Sequence, residues 1–124
     1  MREILFRGKA IDGNWYYGVP LVFTEDYVCI TAPHTNNKKV EANTIGQYTG
    51  LTDKNGTKIF EGDIVKYGDT INKVVFEQKN GTAYFGVVMG DTETWHFCYL
   101  TNAEGMEVIG NIHDNPELLK GVEV

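Results

Sequence analysis

Apolar residues along this chain come in short runs separated by turn formers, and their spacing is that of strands. Ile4, Phe6 and Ile11 precede Asp12-Gly13, a pair that favours a tight hairpin because glycine accepts positive φ without a Cβ clash. Trp15-Tyr16-Tyr17 returns on the far side. Leu21-Val22-Phe23 and Tyr27-Val28-Cys29-Ile30 flank Glu25-Asp26 and predict a second hairpin. The polar, turn-rich stretch 33–39 is expected to be an exposed loop. Residues 45–51 predict a strand, Asp53-Lys54-Asn55-Gly56 a turn, and Ile59-Phe60 its return. Glu61-Gly62-Asp63 bends the chain again. Strands are predicted over 64–67, 73–77, 82–89, 95–100 and 106–109, with turns at Gly68-Asp69 and Lys79-Asn80-Gly81.

One helix is predicted, over 116–120. Asn115 stands at the N-cap, Pro116 at the first helical position, Glu117 near the positive end and Gly121 as the stop. A helix of little more than one turn is not stable alone, so Leu118 and Leu119 must dock on the sheet. The rest reads as mainly β. Five closely spaced strands between Ile45 and Ile109 predict a small, strongly bent SH3-type barrel, with an OB-type barrel as the alternative. Additional N-terminal strands precede it and the short helix follows. Gly62-Asp63-Ile64-Val65 suits a barrel-strand entry: the glycine allows the bend and the aspartate accepts from nearby backbone amides. With 124 residues, a single domain over 1–124 is expected, with 1–44 as an N-terminal hairpin region and 45–124 as the barrel core. The pattern contains no internal repeat and no linker.

Composition narrows the function classes. The chain is 42% hydrophobic and 23% charged, which is globular and not disordered. Lys+Arg is 11 against Asp+Glu 17, a net charge of -6, which argues against a broad DNA-binding face built on phosphate neutralisation. Cys29 and Cys98 are too far apart to suggest a secreted disulfide framework and read as buried thiols in a reducing cytosol. Charges interrupt the apolar patch of residues 1–7, so it is not a signal peptide. No apolar run approaches the ~20 residues that span a bilayer. The expected location is the cytoplasm.

Candidate chemistry is sparse. The chain has no serine, which leaves a Cys/His pair as the conventional nucleophile. His96 and Cys98 share a strand face, but no third group orients them, and core cysteine is the stronger reading. His34, His96, His113, Cys29 and Cys98 lack metal-ligand spacing. Gly50 to Lys58 has the wrong spacing for a phosphate loop and no following helix. Glu61 and Asp63 alternate across a turn and read as turn geometry, not as acid and base. We therefore expect no catalytic, cofactor-binding or metal-binding residue. The chain has 7 Tyr, 6 Phe and 2 Trp; with Lys66, Lys73 and Lys79 these could form a single-strand nucleic-acid platform. A surface for another protein, or for a second copy in a homo-oligomer, fits the net charge better.

Three blocks carry a resemblance. They are Arg2-Glu3-Ile4-Leu5-Phe6-Arg7; Gln47-Tyr48-Thr49-Gly50-Leu51 with Asp53-Lys54-Asn55-Gly56 and Ile59-Phe60-Glu61-Gly62-Asp63-Ile64-Val65; and Val108-Ile109-Gly110-Asn111-Ile112 with Asn115-Pro116-Glu117-Leu118-Leu119. In this order they resemble the YopX family of bacteriophage, prophage and related mobile-element proteins. Residues 10–42 and 91–104 carry no matching pattern, and Phe6-Arg7-Gly8 stands where the family often places Ala and Trp. The resemblance implies an SH3-type barrel with additional strands, and no catalytic residue, cofactor or substrate. The expected function is that of a non-enzymatic phage or prophage accessory protein that binds a host or phage protein in the bacterial cytoplasm. The alternative is a small barrel that binds single-stranded DNA or RNA.

Overall fold

Nearly all regular structure is antiparallel β. The computed structural model describes residues 3–32, 35–79, 81–89, 97–99 and 105–120. The chain divides into two units, Met1–Gly50 and Leu51–Val124.

The first unit holds β1 (Phe6–Lys9), β2 (Trp15–Thr24), β3 (Tyr27–Ala32), β4 (Thr35–Val40), a 3-10 turn (Ala42–Thr44) and the start of β5 (Gly46–Thr52). The strand order is β4-β3-β2-β1-β5, followed by β6 (Lys58–Phe60) beside β5. The Asp12-Gly13 hairpin forms as predicted: Gly13 has φ 90, and Asp12 Oδ1 accepts from the Asn14 N–H at 2.9 Å. Trp15 to Phe23 make one strand, where two short runs were expected. It passes straight through Pro20, because β1 ends opposite Gly18 and, among the described residues, no strand pairs with β2 on that side beyond it. Ala10 N–H bonds to Asn14 C=O, so residues 14, 16, 18 and 20 direct their backbone groups toward the β1 side. The amide hydrogen that Pro20 lacks would have met no strand among the described residues.

The loop expected over 33–39 is instead largely β4, paired with β3 from Val28↔Val40 to Ala32↔Thr35; residues 33 and 34 lie outside the described ones. Asn36, Asn37, Lys38 and Lys39 are exposed. An edge strand held by backbone pairing leaves no apolar alternation, and lysines on an edge discourage further pairing. Val40 alone sets its register against the core of Val28, Ile30 and Val40, with Phe6, Tyr16 and Ile45 packed on it. Glycines make this closeness feasible. A Cβ on Gly8 would lie 2.7 Å from Val40 Cγ2, and one on Gly18 would lie 2.1 Å from the Thr31 carbonyl oxygen. Gly18→Ala should therefore destabilise this unit by about 1–3 kcal/mol, the usual range for overpacking, read as a lower urea midpoint. Gly56→Ala meets nothing within 4 Å and should cost only about 1 kcal/mol, from its positive φ.

The second unit holds β7 (Asp63–Tyr67), β8 (Thr70–Lys79), β9 (Thr82–Met89), β10 (Phe97–Tyr99), β11 (Met106–Asn111) and α1 (Glu117–Lys120). Its sheet order is β10-β9-β8-β7-β11. Ile59, Val65, Val74, Val87 and Met106 form the core, with Phe85 and Val108 against it. The hairpin glycine Gly81 has φ 78. Of the strand expected over 95–100, only Phe97–Tyr99 falls within the described residues.

The expected SH3-type barrel does not close. Among the described residues the protein is mainly β, with two open antiparallel sheets and one α-helix, and β10 and β11 end the second sheet. The reason lies at the outer edge of β11. Lys54 N–H donates to the Met106 carbonyl at 3.0 Å, and Val108 N–H donates to Asp53 Oδ2 at 2.9 Å. The 53–57 turn occupies the backbone groups that a closing strand would need there.

Helix α1 begins at Glu117, packs on β8 and buries Leu119, with Leu118 half-buried. The expected Asn115 side-chain cap does not form. Asn115 Oδ1 turns back to accept from the Asn111 N–H at 3.3 Å, and its backbone carbonyl accepts from Leu118 N–H. Gly110 allows this, since a Cβ there would lie 2.6 Å from Asn115 Oδ1. Gly121 lies outside the described residues.

Candidate functional site

The polar residues that stand out in the sequence are spent on the fold. Asp53 is 5% exposed. Its Oδ1 accepts from the N–H groups of Asn55 (2.9 Å) and Thr57 (2.8 Å), and its Oδ2 from that of Val108. Burial by itself would raise its pKa. The N–H groups of Val108, Thr57 and Asn55 and the charge of Lys54 outweigh that, and hold the carboxyl below its ordinary value. The phosphate-loop reading of Gly50 to Lys58 fails for the same reason: the amides of Asn55 and Thr57 already have a carboxylate. Asp63 is 2% exposed and its Oδ2 accepts from the Phe60 N–H at 2.7 Å, across the bend at Gly62 (φ 93). It serves the turn as expected, but from the interior. Glu61 is half-buried beside it.

Among the described residues the remaining candidates form no cluster. Cys29 is a free, buried thiol on β3, and the backbone of Cys98 pairs with Val87. His34 and His96 lie outside the described residues. His113 sits in the turn before α1, where its N–H donates to Asn111 Oδ1 at 3.0 Å. Among the described residues no cluster of His, Cys, Asp or Glu could hold a metal ion, and no helix is long and apolar enough to cross a membrane. Lys66 is exposed on β7 but stands opposite Glu107 on β11. Lys73 is half-buried on β8, and the Lys79 side chain lies outside the description.

What remains is an exposed apolar face on the first sheet. Alternation along β2 places Tyr17, Val19, Leu21 and Phe23 on one side, exposed by 48%, 49%, 38% and 59%. Register adds Tyr27 from β3, whose ring meets Phe23 edge-on at 5.3 Å. Lys39 on β4 lies opposite Cys29, which lies opposite Leu21, so Lys39 flanks the row two strands away, about 10 Å. Its Nζ sits 5.1 Å from the Tyr27 ring centroid. On the other flank Arg7 lies under the face, 4.7 Å from the Trp15 ring. The opposite side of β2 carries Tyr16, Gly18 and Pro20 over the core. Both faces of residues 15–23 are thus apolar, and that unbroken run is the sequence signal that could have revealed the face.

Strands β1 to β5 of this sheet carry Arg7, Lys9, Lys38 and Lys39 and no carboxylate; Glu3, Asp12, Glu25, Asp26 and Glu41 all fall outside them. Over Met1–Gly50 these five acids balance Arg2 and the four strand cations, so the net charge of -6 belongs to Leu51–Val124.

A search of curated proteins finds no match. Among solved structures the chain is similar to protein EF1440 from Enterococcus faecalis, with 26% identity, a TM-score of 0.52, and coverage of 96% of this chain and 99% of that one. The family model described as YopX protein matches residues 5–120. The match spans the 53–57 turn, the Gly62-Asp63 bend and the Asn111–Asn115 turn, whose polar groups bond to backbone, and the chain belongs to the YopX family.

Proposed function

We propose that this protein is a non-enzymatic accessory protein of a phage or prophage, acting in the bacterial cytoplasm by binding another protein through the β2–β3 face. The observation that carries this reading is the row Tyr17, Val19, Leu21, Phe23 and Tyr27, exposed on a paired sheet. Contiguous exposed apolar side chains with aromatics among them are what protein interfaces present. The buried carboxylates Asp53 and Asp63 support the non-enzymatic part, because backbone amides occupy them.

The test is tagged pull-down from bacterial lysate with the wild-type chain and with the double variant Leu21→Ser, Phe23→Ser. Both side chains are substantially exposed, so the variant should keep the wild-type far-UV spectrum. The expected result is a protein recovered by the wild type and lost, by about tenfold or more, with the variant, as for residues at an interface centre. Identical recovery by both, or none by either, contradicts the reading.

A second reading is a single-strand nucleic-acid platform, favoured by the acid-free strands of the first sheet. It predicts a salt-sensitive gel shift that Lys39→Glu abolishes. The centre of the row is Val19 and Leu21, which offer no ring for a base to stack on, so the protein reading ranks first.

A further inference from the structure

We infer that the β2–β3 face selects an acidic amphipathic protein segment: apolar side chains seated on the row, with carboxylates directed at the lysines that flank it. This deepens the protein-binding reading and rests on it. The argument is charge complementarity. The strand side chains around the row include Lys39 on one flank and Lys9 and the buried Arg7 on the other, and no strand position of the sheet bears Asp or Glu. Glu25 and Asp26 are confined to the turn at the tip of the hairpin. A basic partner would meet repulsion at the exposed Lys39, and a neutral one would leave Lys39 without a counter-charge across the interface.

Strand addition to β2 beyond Gly18 is a poorer fit. Pro20 lacks a donor there, and the register shifts between Val22 and Thr24. Proline and a bulge are the devices that blunt an edge. The outer edge of β4 carries Lys38 and Lys39 and is blunted by charge. The partner is therefore expected to lie on the face.

Two synthetic peptides test this. They share an alternating Leu/Phe pattern and carry either Glu or Lys at the intervening positions; a dT oligonucleotide is the third probe. Anisotropy of the labelled probes is followed with the wild type, Lys39→Glu, Lys39→Gln, and Leu21→Ser with Phe23→Ser. The Glu peptide should bind about tenfold tighter than the Lys peptide at low salt, and salt should erode the difference. Lys39→Glu should reverse or abolish the preference and Lys39→Gln should reduce it, while the Leu21/Phe23 variant should bind neither peptide. Equal affinities, a preference unmoved by Lys39, or face-dependent binding of dT alone would overturn the inference. If the pull-down succeeds through Leu21 and Phe23 while the peptides show no charge preference, the protein-binding reading stands and the charge selection falls. If both fail, both are wrong.

Discussion

Replacing Asp53 with Ala should destabilise the protein by roughly 3 kcal/mol, the scale for removing a charged acceptor that several backbone donors share. The carboxylate closes its own turn through Asn55 and Thr57 and fastens that turn to Val108 on β11. With Ala, the part-buried Val108 N–H would have lost its acceptor. Asp53→Asn keeps an oxygen but not the charge, and should cost less. The pH profile separates this from a packing effect. The folded pKa is lowered from the ordinary 3.8, so the stabilisation is fully present above the unfolded value and is lost as pH falls through the folded one. Urea unfolding of wild type and Asp53→Asn at a series of pH values should therefore show a gap that is constant at neutral pH and narrows below about 4. A gap that stayed constant into strong acid would mean that the charge is not what holds β11.

The second large effect is expected at Ile59. It is fully buried at the centre of a core with Val65, Val74, Val87 and Met106. Ile59→Ala should cost roughly 3 kcal/mol, within the range for a buried isoleucine whose cavity cannot collapse. Phe76, at 40% exposed and in edge contact with Phe85, provides the contrast: Phe76→Ala should cost clearly less. Matched urea midpoints would show that the second unit does not pivot on Ile59.

The two units differ in how much of them the sequence disclosed. Turns were legible wherever their chemistry is local. Asp12-Gly13, Asp53 to Gly56 and Gly62-Asp63 each close within a few residues, so the residue types suffice. The second role of Asp53 was not legible, because Val108 lies 55 positions away and only the folded sheet brings it near. That same long-range bond occupies an edge of β11, and so the inferred barrel closure failed on a contact that no local pattern encodes. Strand β4 was missed because an exposed edge carries no apolar alternation; Val40 is its one buried side chain among those described. The candidate face was in plain view as an unbroken apolar run over 15–23. Such a run reads equally as a strand buried on both sides, and exposure is a property of what packs against it. Net charge is an average in a related way: -6 is the sum of a neutral first unit and an acidic second one, so it does not describe the strands of the first sheet by themselves.

Photo-crosslinking in living bacteria tests the proposed face most directly. Leu21 is replaced by p-benzoylphenylalanine in one strain and Phe76 in another, giving probes of comparable exposure on different sheets. A discrete protein adduct from position 21 that is absent from position 76 is the predicted result. Adducts of equal intensity from both positions, or none from position 21, would contradict the assignment of binding to this surface.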